Sequence, residues 1–293
     1  MPAGAPAQTW IRARHLRGVT TSDAPRNRKP YDVWRSYTPL TQRYDEIMTQ
    51  TSDALVQHHR ANLAGRDFVV GDLHGCVEAL RYLLREVEFD TAHDRLFSVG
   101  DLVDRGDREQ CEQALALLDK PWFHAVLGNH EDALCAVAEG RMPRNRWYGI
   151  GGGWAQTVPD EVLVRYAQRL RQLPLARVVG EGEKRFNVIH AEFFGDDATL
   201  DRGQFEPEVR ERMLWGRDLV LGKGDPARPA LSLTFCGHTP VREVRQIGSQ
   251  VFIDTGAFIT EGRLTMVEAL TSRIWSVSTV EALAQGAAAI LLP

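Results

Sequence analysis

Between residues 67 and 138 one order of elements occurs three times: a short apolar run, a glycine turn carrying metal-donor side chains, then apolar residues at helical spacing. Asp67-Phe68-Val69-Val70 runs into Gly71-Asp72-Leu73-His74, and Leu80, Leu83, Leu84 and Val87 follow at helical intervals. Leu96-Phe97-Ser98-Val99 runs into Gly100-Asp101, with Ala114, Leu115 and Leu118 in the periodic stretch beyond. The run over 122–127 leads to Gly128-Asn129-His130, ahead of Ala133, Leu134 and Val137. Strand, loop and helix in alternation predict an α/β architecture. Ligands of open α/β sheets bind outside the carboxyl ends of the strands, so the three turns predict one shared site.

From about residue 159 the pattern becomes strand-rich, so the fold expected is α/β and in part α+β. A helix is expected over 159–173, with Asp160 and Glu161 in its first turn and Arg169 and Arg171 near its end. Runs at 175–179 and 185–189 flank Gly180-Glu181-Gly182-Glu183 and predict a hairpin whose second strand ends at His190. The run 231–235 ends just before Gly237-His238, and 250–253 ends at Asp254-Thr255-Gly256. With 264–269 and 273–277 these predict a two-sheet β-sandwich flanked by helices.

The donors suit a dinuclear metal site. Two divalent ions roughly 3.5–4 Å apart can clamp the attacking and leaving oxygens of an in-line phosphoryl displacement. They need a bridging carboxylate and a mixed shell, because carboxylates and carbonyls suit Mg and Mn whereas imidazole suits Zn, Fe and Ni. Asp72, His74, Asp101, Asn129, His190 and His238 supply that mixture, and none of the four cysteines is needed.

Gly71-Asp72-Leu73-His74-Gly75, Gly100-Asp101-Leu102-Val103-Asp104-Arg105-Gly106, Gly128-Asn129-His130-Glu131, Ile189-His190-Ala191 and Gly237-His238-Thr239, in this order, resemble the calcineurin-like metallophosphoesterase superfamily. Pro121-Trp122-Phe123, Gly151-Gly152-Gly153-Trp154, Leu214-Trp215-Gly216-Arg217 and Asp254-Thr255-Gly256 make the chain similar to the bacteriophage lambda type of phosphoprotein phosphatase. The resemblance implies a calcineurin-like sandwich with a dinuclear metal site at the C-terminal strand ends. It implies that Asp72 and His74 bind one metal, that Asp101 bridges, and that Asn129, His190 and His238 bind the other. By the same resemblance His130 is the general acid, Asp104 its hydrogen-bonded partner, and Arg105 and Arg217 grip the phosphoryl oxygens. The reaction implied is hydrolysis of phosphoserine and phosphothreonine monoesters, with phosphotyrosine a further candidate, by a metal-bridging hydroxide and without a phosphoenzyme. The metals are two divalent ions, with Mn²⁺ favoured by resemblance and Fe, Zn, Co or Ni also accepted by such a shell.

Two other readings compete. A symmetrical dinucleoside-tetraphosphate hydrolase carries nearly the same ligand motifs, and such hydrolases resemble this chain but tend to lack the aspartate at the Asp104 position. A non-catalytic metal- or phosphate-binding module has no use for a positioned acid. Single residues also have plainer roles: Gly-Asp at a strand end is ordinary turn chemistry, and Cys76 suits a small buried thiol. Trp147 and Tyr148 suit either a substrate pocket or packing beside Gly151-Gly152-Gly153, and Asp254 suits a turn.

Residues 1–66 hold ten Arg or Lys against five Asp or Glu, so this leader is +5 and the remainder −9 in a chain of net charge −4. That overall sign argues against nonspecific nucleic-acid binding. The organisation expected is a basic extension over 1–65, disordered in part or docked on the acidic body, with a helix over 40–64. A catalytic domain over 66–279 and an apolar tail over 280–293 follow. Four unpatterned cysteines fit a reducing compartment, the cytoplasm, and the absence of a long apolar run argues against membrane spanning. Expected partners are a phosphorylated protein or peptide, or a small phosphoester. Oligomeric state is not readable.

Overall fold

A computed structural model describes residues 55–227 and 230–284. The basic leader up to residue 54 and the tail beyond residue 284 lie outside the described residues, as does most of the helix expected over 40–64. The part of that helix that is described is a strand instead. Val56–His59 forms β1, paired in parallel with β5 (Ala176–Val179). Its burial does not alternate, with Val56 buried, His58 exposed and Gln57 and His59 in between, so the pairing with β5 and not an amphipathic pattern defines the strand.

The three repeats form the centre of one sheet. β2 (Asp67–Val70), β3 (Arg95–Ser98) and β4 (Phe123–Ala125) are parallel, with Phe68 beside Leu96 and Leu96 beside Phe123. β10 (Leu264–Glu268) and β11 (Ile274–Val277) extend it in antiparallel sense on the β2 side. Phe68, Val69 and Val70 are wholly buried, as a parallel strand covered on both faces demands. The second sheet has the order β1-β5-β6-β7-β9-β8, with β6 (Phe186–Ile189), β7 (Leu233–Cys236) and β9 (Gln250–Phe252) parallel to one another. The predicted hairpin is present as antiparallel β5 and β6. The edge strand β8 (Arg245–Ile247) is short, polar and exposed, with no apolar pattern to announce it.

The sheets meet face to face. Phe97 of β3 packs edge-on against Phe186 of β6 at 5.7 Å between centroids, the geometry aromatic pairs favour. Arg177 of β5 crosses the interface and donates through Nε to the Ala125 carbonyl at 2.9 Å and through Nη1 to Gln57 Oε1 at 2.6 Å. A buried guanidinium is tolerated only when its donors are satisfied in this way. Helices cover the outside. α1 (Val77–Glu86) buries Val77, Leu80, Leu83 and Leu84, one face of a 3.6-residue period. α2 (Arg108–Ala116) starts at a capping box in which Asp107 accepts from Gln110 N at 2.8 Å. α3 (Asn129–Ala138) follows β4 directly, α4 (Arg144–Ile150) follows it, and α5 (Asp160–Leu170) lies where the sequence places a helix. α6 (Asp197–Arg202) and α7 (Pro207–Trp215) separate β6 from β7, and α8 (Thr279–Ala284) follows β11. No helix among the described residues is long and apolar enough to cross a membrane.

Candidate metal centre

Loops from both sheets end at one place. Leu73 N and His74 N donate to the Asp101 carbonyl at 3.0 and 2.8 Å, and Gly75 N to Leu102 O at 2.9 Å, so the first two motif loops are laced together. Among the described residues seven non-glycines have positive φ, and five of them are here: His74 (42°), Asp101 (50°), Asp104 (72°), Arg105 (64°) and His238 (69°). Each left-handed non-glycine costs on the order of 1–3 kcal/mol. Such strain concentrates where a side chain must be aimed, which is the case for all five. Gly237 has no alternative, since a Cβ there would stand 2.0 Å from Asp72 Oδ1.

Two groups of donor atoms converge, His74 with Asp101 and His130, and Asp101 with His190 and His238; within each group the atoms lie within 4.8 Å of one another. Whether they fit cations is decided by their protons. His190 Nδ1 faces the Val99 carbonyl at 2.7 Å and His74 Nδ1 the Val103 carbonyl at 2.9 Å. A carbonyl only accepts, so both rings carry their proton on Nδ1 and turn the Nε2 lone pair inward. His190 Nε2 then meets Asn129 Oδ1 at 2.8 Å and Asp101 Oδ1 at 3.5 Å, while His74 Nε2 meets Asp101 Oδ2 at 3.6 Å. Acceptor is aimed at acceptor. Donors about 2.0–2.2 Å from a shared cation lie about 3 Å from one another, so divalent ions fit. Ligand imidazoles typically give their other N–H to a carbonyl or carboxylate, as these two do. His238 Nδ1 lies 2.8 Å from the same Asn129 Oδ1, and its buried Nε2 has no hydrogen-bond partner among the described residues.

Asp72 is placed differently from the other five. Its carboxylate is buried and accepts from His238 N at 3.0 and 3.2 Å, bracing the Gly237-His238 turn. Burial, with Asp254 and Asp101 close by, raises its pKa well above the usual carboxylate range. Burial also pushes Asp254 up to about 6, with Asp101 adding to it. Asp254 Oδ1 accepts from Gly256 N at 2.9 Å, the turn role expected of it, whereas Oδ2 is buried without a hydrogen-bond partner. Like charges crowded this closely out of water call for a cation.

His130 belongs to the first group by distance, but both of its ring nitrogens face other partners. Its Nδ1 is taken by Asp104 Oδ2 at 2.7 Å, and Arg105 Nη2 lies 3.3 Å from its Nε2. A guanidinium at that nitrogen would repel a metal ion, so proton donation suits the geometry better than ligation. Burial works against the imidazolium, but Asp101 and Asp104 outweigh it and raise the His130 pKa above its ordinary value. Arg105 lies over the Phe258 ring at 4.1 Å, which fixes its plane. Arg217 and Arg105 both feel the charges of Asp101, Asp254 and Asp72, while burial lowers the pKa of each.

Glu131, for which the sequence reading has no role, holds the loop that carries Asp101. It accepts from Asp101 N (2.8 Å), Leu102 N (2.9 Å), Val103 N (3.1 Å) and Gly128 N (3.1 Å). Burial and the neighbouring Asp101 push it up to about 8. Its signal was present: an acid three residues after Gly128 is the N3 position of a capping box. Glu131→Ala leaves four buried N–H groups unpaired, and should cost at least about 3 kcal/mol and lower Tm by about 6 °C or more. Metal affinity should fall roughly 10–100-fold. Melting and metal titration equal to the unsubstituted protein would remove Glu131 from this role.

Residues 68–258 match the sequence model of a family described as calcineurin-like phosphoesterase. The chain is 36% identical over 202 residues to serine/threonine-protein phosphatase 2 of Salmonella typhimurium, covering 65% of this chain and 87% of that protein. It is 45% identical to the symmetrical bis(5'-nucleosyl)-tetraphosphatase of Pasteurella multocida, but over only 74 residues, 25% of this chain and 26% of that one. A solved structure provisionally named a diadenosine tetraphosphatase superposes with TM-score 0.57 at 26% identity, over 76% of this chain and 96% of that chain. With two sheets delivering one set of divalent-ion donors, and a family match running from β2 to Phe258, the chain belongs to the calcineurin-like phosphoesterase family.

Proposed function

We propose that this chain is a metal-dependent protein phosphatase hydrolysing phosphoserine and phosphothreonine monoesters. The observation that carries the reading is the buried 2.7 Å hydrogen bond between Asp104 and His130, beside imidazole lone pairs aimed at Asp101. The similarity to a phosphatase across 87% of its length supports it. Asp72, His74 and Asp101 would hold one divalent ion, and Asp101, Asn129, His190 and His238 the other, with Mn²⁺ the preferred metal. Cations held there supply an acidified water and positive charge against the phosphoryl oxygens.

The chain's own residues do the rest. Arg105 and Arg217 would take phosphoryl oxygens, which a guanidinium matches in a bidentate manner. Asp104 fixes the His130 ring with Nδ1 as donor, so Nε2 delivers the proton to the departing serine or threonine oxygen. An anhydride releases a nucleotide phosphate that needs little such help, so dinucleoside tetraphosphates do not call for the Asp104–His130 pair. The catalytic unit spans 66–279 together with β1 and the start of the tail, whose Ala282 is buried. The buried free thiols of Cys76, Cys111, Cys135 and Cys236 suit a reducing compartment, the cytoplasm. Protein stripped by a chelator should not hydrolyse a phosphoserine peptide and should recover as Mn²⁺ is added, levelling off at about two ions per chain. Full turnover in the stripped protein would overturn the proposal.

A further inference from the structure

Among the described residues the Asp104 carboxylate accepts three hydrogen bonds, and only one comes from His130. Trp147 Nε1 donates to Oδ2 at 2.8 Å, the oxygen His130 also uses, and Trp154 Nε1 donates to Oδ1 at 2.7 Å. Asp104 and Trp147 are wholly buried, and Trp154 is nearly so. The two indoles meet edge to face, 6.1 Å between centroids and 80° between planes.

The segment carrying them is fastened to the same loop. Gly151 O accepts from Arg105 N at 3.0 Å. A Cβ at Gly152 would stand 2.3 Å from the Trp147 ring, so this position has no room for any side chain. The glycine run therefore lets the indoles close onto Asp104. An indole N–H can only donate, so neither tryptophan can relay the proton. With both oxygens engaged, the carboxylate cannot turn without breaking a bond, and the imidazole it holds keeps its aim. Misplacing a reacting group by about 1 Å can cost about 100-fold.

We propose that Trp147 and Trp154 are positioning residues that clamp Asp104, aim His130, and thereby fit the site to phosphomonoesters whose leaving oxygen needs a proton. The proposal rests on the phosphatase reading above. Trp147→Phe and Trp154→Phe, each made in the unsubstituted protein and in Asp104→Asn, should be assayed with a phosphoserine peptide and with p-nitrophenyl phosphate. Each single change should lower kcat on the peptide about tenfold and on the nitrophenyl ester by less than about twofold. In the Asp104→Asn background the tryptophan changes should add almost nothing. Equal losses on both esters, or an undiminished loss in Asp104→Asn, would overturn the clamp.

A second reading is independent of turnover. The two indole N–H resonances, assigned through the Phe variants, should lie downfield and move upfield in Asp104→Ala; resonances that stay in place would overturn the proposal. If Trp147→Phe does not fold, Trp154→Phe and its resonance decide alone. A protein inactive on both esters whose indole resonances still answer to Asp104 would sink the phosphatase reading and leave the clamp standing.

Discussion

Asp101→Asn should lose about 10³-fold or more in turnover of every phosphoester and should bind far less metal, while folding normally. Asp101 is the one carboxylate common to both donor groups, with Oδ1 3.5 Å from His190 Nε2 and Oδ2 3.6 Å from His74 Nε2. Asparagine has nearly the same shape. Its amide N–H₂ could donate to an imidazole lone pair that an acceptor faces now, and the loop would stay pinned because Glu131 binds the Asp101 backbone, not its side chain. The fold is kept and the charge is lost. Metal content by mass spectrometry, melting temperature and phosphopeptide turnover separate these effects. Normal turnover, or normal metal content without turnover, would remove Asp101 from the bridging position.

His130→Asn should show the opposite division, with metal retained and the rate lost selectively. The ring is held by Asp104 at Nδ1, and its Nε2 lies nearer to Arg105 (3.3 Å) than to Asp101 Oδ2 (3.8 Å), so its removal should leave the proposed cation ligands in place. A general acid contributes about 10²–10⁴-fold where the leaving group is a poor one. A serine alkoxide needs that proton, whereas p-nitrophenolate leaves nearly unaided. The expected loss is about 10²-fold or more on a phosphoserine peptide and within about tenfold on p-nitrophenyl phosphate. Equal losses would mean that His130 serves binding or ligation instead. The same ester pair reads the tryptophan clamp, so His130, Asp104 and Trp154 variants should rank along one scale.

The ligand loops were legible because their information is local. A buried apolar run that stops at Gly-Asp or Gly-Asn defines both the strand and the position of its donor, and β2, β3 and β4 deliver Asp72, Asp101 and Asn129 accordingly. The same holds for the hairpin ending at His190. What escaped depends on residues far apart in the chain. β1 was read as helix because Gln57, His58 and His59 carry no strand pattern; its pairing with β5, 120 residues away, creates the strand. Trp147 and Trp154 reach Asp104 across 43 and 50 residues, and nothing local separates such an indole from a packing residue. Glu131 is the intermediate case. Its capping position is local, but three of its four backbone donors lie 28 to 30 residues earlier.

The central claim is that the site is built to protonate a poor leaving group. It is tested most directly by comparing kcat/KM for phosphoserine and phosphothreonine peptides with that for diadenosine tetraphosphate, using one Mn²⁺-loaded preparation of the full chain. The intact Asp104–His130 pair predicts that the phosphopeptides are hydrolysed at least about tenfold more efficiently. Efficient cleavage of diadenosine tetraphosphate with little or no turnover of either peptide would contradict it.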